Sequence, residues 1–341
     1  MKFRRFGILY KSIALFLVGM TLSLTIAACG SGNAASSVAL TLVGYAVPKA
    51  AHDAIIPRFV EQWKKEKGQT VIFSYSYGAS GSQTRAVIDG LDADITHLAV
   101  AADTERIVRE GLIRQDWTTQ VPNNGIVAKT VAAIVVRPGN PKNIKSFEDL
   151  TREDVKWVTP DPKTSGGARW NFMALWNDAL KRNNNDEAKA QALVAKEFKN
   201  VAVLARDARE ATDAFAKQGQ GDALINYENE VILAQQKGIK LEYVIPEVNI
   251  SIDTPLAIVD KNVDRNRTRA AAEAYAQFLF TPEAQAEFTK LGFRPLGENV
   301  GKFQPVRDLA TIQDFGGWGK VQKKFFEEGG VFDQTIAASR Q

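Results

Sequence analysis

In 341 residues the sequence has one cysteine, two histidines and three methionines. A lone cysteine excludes an internal disulfide and any cysteine-based metal site. His52 and His97 lie far apart in the chain, so each reads as a satisfied structural histidine. No loop has calcium-binding spacing, and neither a metal nor a cofactor is expected. There is no G-x-x-x-x-G-K-[ST] run and no G-x-G-x-x-G after a strand, which leaves no nucleotide-binding loop. Gly78-Ala79-Ser80-Gly81-Ser82 misses the G-x-S-x-G nucleophile elbow at its last residue. An exported hydrolase using Ser80 would need His52 or His97 as base, and neither has an orienting partner in the sequence. Enzymatic turnover is not expected.

The chain also lacks net charge where it would matter. The formal +4 comes from 43 basic against 39 acidic residues. Lys2, Arg4, Arg5 and Lys11 supply all of that excess, and everything after them is balanced. A neutral body offers no broad field for nucleic acid or anionic lipid. The other proportions are ordinary for a globular chain: 45% hydrophobic, 24% charged, 25 Gly and 12 Pro. The length suggests two domains.

Residues 12–28, SIALFLVGMTLSLTIAA, are uncharged and follow the basic start. They fall slightly short of the roughly 20 residues a spanning helix needs, and they end in small residues. Residues 1–28 therefore read as a signal peptide. Ile26-Ala27-Ala28-Cys29 resembles a bacterial lipobox, which would make Cys29 an acylated N-terminus; plain cleavage with Cys29 left free is the alternative. Arg4-Arg5 is too loose a match for twin-arginine export. Residues 29–37 read as a flexible tether. The mature protein is expected in the periplasm, touching the membrane only through a lipid on Cys29.

From Val38 short apolar runs alternate with amphipathic segments. Val38–Val43, Thr70–Tyr77, Ile95–Val100, Val131–Arg137, Lys156–Thr159, Val201–Leu204, Ala223–Tyr227, Tyr243–Ile245 and Leu256–Val259 read as strands. A face of Ile55, Ile56, Phe59, Val60 and Trp63 predicts a helix that Gly68 stops. Further helices are expected over Gln83–Asp89, Gly167–Leu180 and Ala270–Phe280, and one begun by Thr281-Pro282-Glu283. Asn183-Asn184-Asn185 reads as a turn. This alternation predicts an α/β protein with mainly parallel sheets flanked by helices.

One junction recurs. A strand runs into Gly78-Ala79-Ser80-Gly81 and then a helix. Others run into Lys163-Thr164-Ser165-Gly166-Gly167-Ala168, into Arg206-Asp207-Ala208-Arg209, and into Tyr227-Glu228. Such junctions lie at the carboxyl ends of parallel strands, where ligands bind. Helix N-termini there present unpaired N–H groups and about half a positive charge. Small residues let an anion approach the backbone. Taken singly, Ser80 or Ser165 is an ordinary N-cap, whereas Gly166-Gly167 leaves backbone amides bare. Arg169 and Arg209 read as supporting or surface residues rather than ligands.

Pro160–Asn171 (PDPKTSGGARWN), with Gly78–Gly81 upstream and Tyr227–Glu230 (YENE) downstream, resembles the periplasmic sulfate-binding proteins of ABC importers. Arg294-Pro295 and Phe315–Val321 (FGGWGKV) extend the likeness over the mature chain. The resemblance implies a two-lobed binding protein of the second topological type with the ligand between lobes. It implies lobe 1 over 38–122 and about 253–341, and lobe 2 over about 123–252. It also implies a sulfate site of neutral donors: the Ala46 amide, the Ser80 amide and hydroxyl, the Ser165 hydroxyl, the Gly166, Gly167 and Ala208 amides, and Tyr227 where the family usually has an indole. Ala46 replaces the family's usual Asp, at a position used only through its backbone.

Such a site is physically reasonable. Burying a bare dianion costs tens of kcal/mol in a Born picture, and about seven charge-assisted hydrogen bonds at about 1.5–3 kcal/mol each can compensate. Donors alone also reject a protonated phosphate, whose O–H meets no acceptor. The expected partners are sulfate and the permease and ATPase of an importer, with the protein acting as a monomer. Thiosulfate, molybdate or phosphate are alternatives of the same class. Phosphate would need a pocket carboxylate, for which Asp207 is the candidate. A ferric-ion site would need clustered tyrosines, and Tyr75, Tyr77 and Tyr227 are scattered.

Overall fold

A computed structural model describes residues 37–297 and 301–341. The expected signal peptide, most of the tether and Cys29 lie outside the described residues. Among those described, no helix is long and apolar enough to cross a membrane.

The chain runs β1 (Ser37–Tyr45), α1 (Lys49–Lys67), β2 (Thr70–Gly78), α2 (Ser80–Ile88), β3 (Ile95–His97), α3 (Ala101–Arg109), β4 (Ile126–Thr130) and β5 (Ala132–Val136). It continues through β6 (Trp157–Pro160), α4 (Gly166–Arg182), α5 (Glu187–Lys199), β7 (Val201–Ala205), α6 (Ala208–Ala216), β8 (Ala223–Tyr227) and α7 (Glu228–Gln236). Then come β9 (Glu242–Val244), β10 (Val248–Ile250), β11 (Ile252–Ile258), α8 (Asp260–Asn266), α9 (Arg269–Phe278), α10 (Pro282–Lys290), β12 (Asp308–Ala310), α11 (Gly317–Val321) and α12 (Val331–Ser339). Gly68 stops α1 as expected, in the left-handed conformation with φ 66°. The helix expected from Gln83 begins at Ser80, and the strand expected to reach Val100 ends at His97.

The strands form two five-stranded sheets, ordered β2-β1-β3-β11-β4 and β7-β6-β8-β5-β9. Both are mixed rather than mainly parallel. β1 pairs in parallel with β2 and β3, and β6 with β7 and β8. β11 runs antiparallel to β3 and β4, and β5 antiparallel to β8 and β9. The antiparallel pairs have a structural cause. β4 carries the chain out of the first sheet through Val131, and β11 brings it back after Ser251. An outgoing and a returning strand side by side must oppose each other.

This pairing moves the expected lobe boundary. β4 belongs to the first sheet, so the first crossing falls at Val131 and not near Pro122. The end of the chain also crosses over, although everything after Asp253 was expected with the first lobe. β12 pairs with β10, and Phe325, Phe326 and Phe332 pack edge-to-face with Phe172 of α4 at centroid distances of 6.1, 5.7 and 5.5 Å. These aromatic side chains are nearly fully buried, and the helices beneath the second sheet offer the apolar face that covers them.

Candidate functional site

Among the helices that begin at carboxyl ends of parallel strands, three carry the expected junctions at Gly78–Gly81, Lys163–Ala168 and Arg206–Arg209: α2 after β2, α4 after β6 and α6 after β7. Their first residues are Ser80, Gly166 and Ala208. First-turn amides have no acceptor within their own helix, so the Ser80, Gly166, Gly167 and Ala208 N–H groups are available to a ligand. The starts of α2 and α4 meet face to face. A side chain placed on Gly166 would begin 3.1 Å from Ser80 Cβ and 3.0 Å from Ala99 Cβ. On Gly167 it would begin 3.1 Å from the Tyr227 hydroxyl. Glycine at both positions allows this approach. Asn226 ties in the start of α6, its Nδ2 donating to the Ala208 carbonyl at 2.9 Å. Ala46 follows Tyr45, the last residue of β1.

The side chains sort into those free to bind and those already committed. Ser165 caps α4, its oxygen accepting from the Ala168 amide at 3.3 Å, which leaves its own proton to donate. Ser80 is no cap; Ala79 holds that position. The Ser80 hydroxyl, expected to donate to the anion, donates instead to Asp103 Oδ2 at 2.7 Å and accepts from the Ala99 amide at 3.1 Å. A hydroxyl has one proton, so here Ser80 offers a ligand only its amide. No histidine reaches Ser80. His97 Nδ1 bonds His52 Nε2 at 2.8 Å and His97 Nε2 bonds Thr254 at 3.0 Å, so no base serves a serine nucleophile.

Both arginines are held by carboxylates. Arg169 Nη1 donates to Asp103 Oδ1 at 2.9 Å and its Nε to the Pro162 carbonyl at 3.2 Å. Arg209 makes a two-pronged pair with Glu230 at 2.9 and 3.0 Å. Burial pushes the Glu230 carboxyl up, against the pull of Arg209. Asp207 turns its carboxylate back to the Arg209 and Glu210 amides, both at 3.0 Å, and so caps α6 rather than facing the pocket. Tyr227 is fully buried, its hydroxyl has no partner, and burial holds its pKa well above the ordinary phenol value.

Two residues at this site were missed in the sequence. Asp103, fully buried on α3, joins Ser80 of the first sheet's body to Arg169 of the second. Its signal was slight: one acid in the first turn of an amphipathic helix after a strand. Tyr45, 3% exposed at the end of β1, reads as ordinary core. Trp170 adds a neutral contact between the two bodies, Nε1 donating to the Ala99 carbonyl at 2.7 Å. A separate cleft of about 920 Å³ opens beside α3 and the crossing strands, lined by Trp117, Lys129, Asp253 and Trp318. The helix starts described above do not line it. Among the described residues no group of three or more His, Cys, Asp or Glu side chains could hold a metal ion.

Comparison with known proteins gives the family. Residues 40–294 match the family model described as bacterial extracellular solute-binding protein. A sulfate-binding protein of Synechococcus elongatus is 53% identical over 327 residues, covering 92% of this chain and 93% of that one. A thiosulfate-binding protein of Pseudomonas aeruginosa is 38% identical over 90% of this chain and 94% of its own. Among solved structures, the sulfate-binding protein SubI from Mycobacterium tuberculosis superposes with a TM-score of 0.77 at 36% identity, covering 85% of this chain and 100% of that one. The chain belongs to the bacterial extracellular solute-binding proteins, within their sulfate-binding group, and is not an enzyme.

Proposed function

We propose that this protein binds sulfate in the cleft between its two sheets and delivers it to an ABC importer. The observation that carries the reading is the meeting of the α2 and α4 starts, with α6 tied in beside them, around unpaired amides. Arg169 and Arg209 have their charges cancelled by Asp103 and Glu230, so the site attracts an anion through dipoles and N–H groups. The donors are the amides of Ala46, Ser80, Gly166, Gly167 and Ala208, with the Ser165 and Tyr227 hydroxyls. None is an acceptor that a protonated anion requires, apart from the oxygens of those two hydroxyls. Sulfate is favoured over thiosulfate because the more similar of the two relatives compared above carries the sulfate name.

The lobes in this reading are residues 37–130 with 252–297, and 131–250 with 308–339. They close over the anion by bending at the crossings, and the closed shape is what the permease recognises. The protein works as a monomer in the periplasm, exported by residues 1–28 and held by a lipid on Cys29. Residues 30–341, freed of anions by dialysis, give the test: sulfate, phosphate and molybdate titrated by calorimetry at neutral pH. One-to-one sulfate binding with no phosphate response is expected. Heat from phosphate or molybdate but not sulfate overturns the assignment.

A further inference from the structure

Thr164 stands where three of the donor-bearing junctions come together. It belongs to the turn before α4, directly ahead of Ser165, Gly166 and Gly167. A side chain placed on Gly81, in the first turn of α2, would begin 3.2 Å from the Thr164 carbonyl oxygen. The Thr164 hydroxyl reaches the third junction, donating to the Arg206 carbonyl at 2.9 Å, just ahead of Asp207 and Ala208.

The sheet alone does not hold the last two junctions together. β6 and β7 pair in parallel as far as Pro160 and Ala205, and the Asp161 amide donates to the Ala205 carbonyl at 2.8 Å. Past that rung the chains part, one into the turn over 161–165 and the other into Arg206 and Asp207. The Thr164 hydroxyl bridges them there. Its proton has a second acceptor in reach, the Asp161 carbonyl at 3.3 Å. That carbonyl already accepts from the Thr164 and Ser165 amides at 3.1 and 2.8 Å, which fills its two lone pairs. The proton therefore goes to Arg206. Downstream, the Asp207 carboxylate accepts from the Arg209 and Glu210 amides, both at 3.0 Å. The Ala208 amide is thus fixed between the Thr164 bond on one side and the Asp207 cap on the other.

We propose that Thr164 is a positioning residue for the anion site: by holding the Arg206 carbonyl, its hydroxyl sets the Ala208 amide at a fixed distance from the Ser165, Gly166 and Gly167 donors. This rests on the sulfate reading above, and Thr164 need not touch the ligand. Several donors act together on one anion only if they are aimed before it arrives. When a junction is loose, binding must supply the ordering. Arg206 is exposed, so water can replace the hydroxyl on its carbonyl, and losing the bond leaves no buried group unsatisfied. The effect should fall on binding and not on the fold.

The test is calorimetry of sulfate at neutral pH, with thermal melts of the ligand-free protein, on the wild type, Thr164→Val and Thr164→Ser. Valine keeps the shape and loses the proton, whereas serine keeps the proton. Thr164→Val should bind sulfate about fivefold more weakly, the scale of one hydrogen bond, and melt within about 2 °C of wild type. Thr164→Ser should bind within about twofold of wild type. An unchanged affinity in Thr164→Val, or a loss in Thr164→Ser as large as that in Thr164→Val, would overturn the inference and leave the sulfate reading intact. A melting temperature that falls in step with affinity would assign Thr164 to the fold and overturn it as well. If Thr164→Val does not fold, Thr164→Ala takes its place under the same criteria. A wild type that binds no sulfate overturns the function itself and this inference with it.

Discussion

Gly166 shows how much of the site depends on a missing side chain. The three atoms nearest its absent Cβ are Ala99 Cβ at 3.0 Å, Asp103 Oδ2 at 3.1 Å and Ser80 Cβ at 3.1 Å. All three belong to the body of the first sheet, while Gly166 belongs to the second. Gly166→Ala therefore wedges the two bodies apart without crowding the core of either. The strain is relieved if the cleft opens, so it should appear in binding and hardly in folding. The expected outcome is sulfate affinity at least about tenfold weaker, with stability of the ligand-free protein changed by less than about 1 kcal/mol. Paired calorimetric titrations and thermal melts check both halves. Equal loss in both would mean that Gly166 serves the fold and not the closure.

Between elements, the buried histidines form a directed relay. Thr254 donates to the Ala128 carbonyl, so it must accept from His97 Nε2–H. A neutral His97 then accepts at Nδ1 from His52 Nε2–H at 2.8 Å, and His52 accepts at Nδ1 from the Tyr275 hydroxyl at 2.6 Å. The relay ties α9, α1, β3, β11 and β4 together inside the first sheet's body. Burial lowers the pKa of both rings, His52 to about 3 and His97 well below the ordinary 6.5, with the His52 neighbour adding to the fall. The unfolded chain takes up protons below about pH 6.5 where the native protein does not. Their contribution is therefore intact above pH 6.5 and lost as pH falls from there toward the folded values. His97→Gln keeps an Nε2 donor for Thr254 but cannot titrate. Relative to this variant, wild-type stability should fall by about 1.4 kcal/mol per pH unit below 6.5, read from denaturant unfolding at several pH values. Parallel profiles for the two proteins would show that His97 is charged in the native state.

The same scale shows what was legible in the sequence and what was not. The strand-to-helix junctions could be read because small residues and turn signals break a local alternation, and Ser165-Gly166-Gly167 carries its chemistry within three neighbours. Asp103 and Arg169 could not, because their pairing spans 66 positions and depends on two sheets meeting. The bond from the Ser80 hydroxyl to Asp103 was hidden for the same reason, since that carboxylate lies on another helix. The place of the chain end was also hidden. Trp318, Phe325, Phe326 and Phe332 announce a face that must be buried, but nothing local says against which lobe.

Across the whole molecule, the balance between open and closed turns on which contacts cross between bodies. Near the crossing strands, Arg294 pairs with Glu228 at 2.7 and 3.2 Å, and the Arg294 amide bonds the Lys129 carbonyl at 2.8 Å. In the closure proposed above this pair would sit near the pivot, where bending separates atoms least. Asp103 and Arg169 lie at the cleft beside the ligand donors, where bending separates them most. Both are buried here, with side-chain exposures of 0% for Asp103 and 7% for Arg169, and the proposed opening of the cleft would expose both to water. Asp103→Asn leaves a guanidinium buried without its counter-charge in the closed form alone, a change that costs about 3–5 kcal/mol when a buried pair is broken. Ligand binding must supply that energy, so apparent sulfate affinity should fall by roughly a hundredfold or more while the closed shape stays attainable. Small-angle scattering across a sulfate titration separates the two effects. The variant should reach the wild-type ligand-bound radius of gyration, but only at higher sulfate. Half-saturation equal to wild type would show that the pair holds the loops beneath the anion in place without taking part in closure, and a radius that never contracts would show that it is the latch on which closure depends.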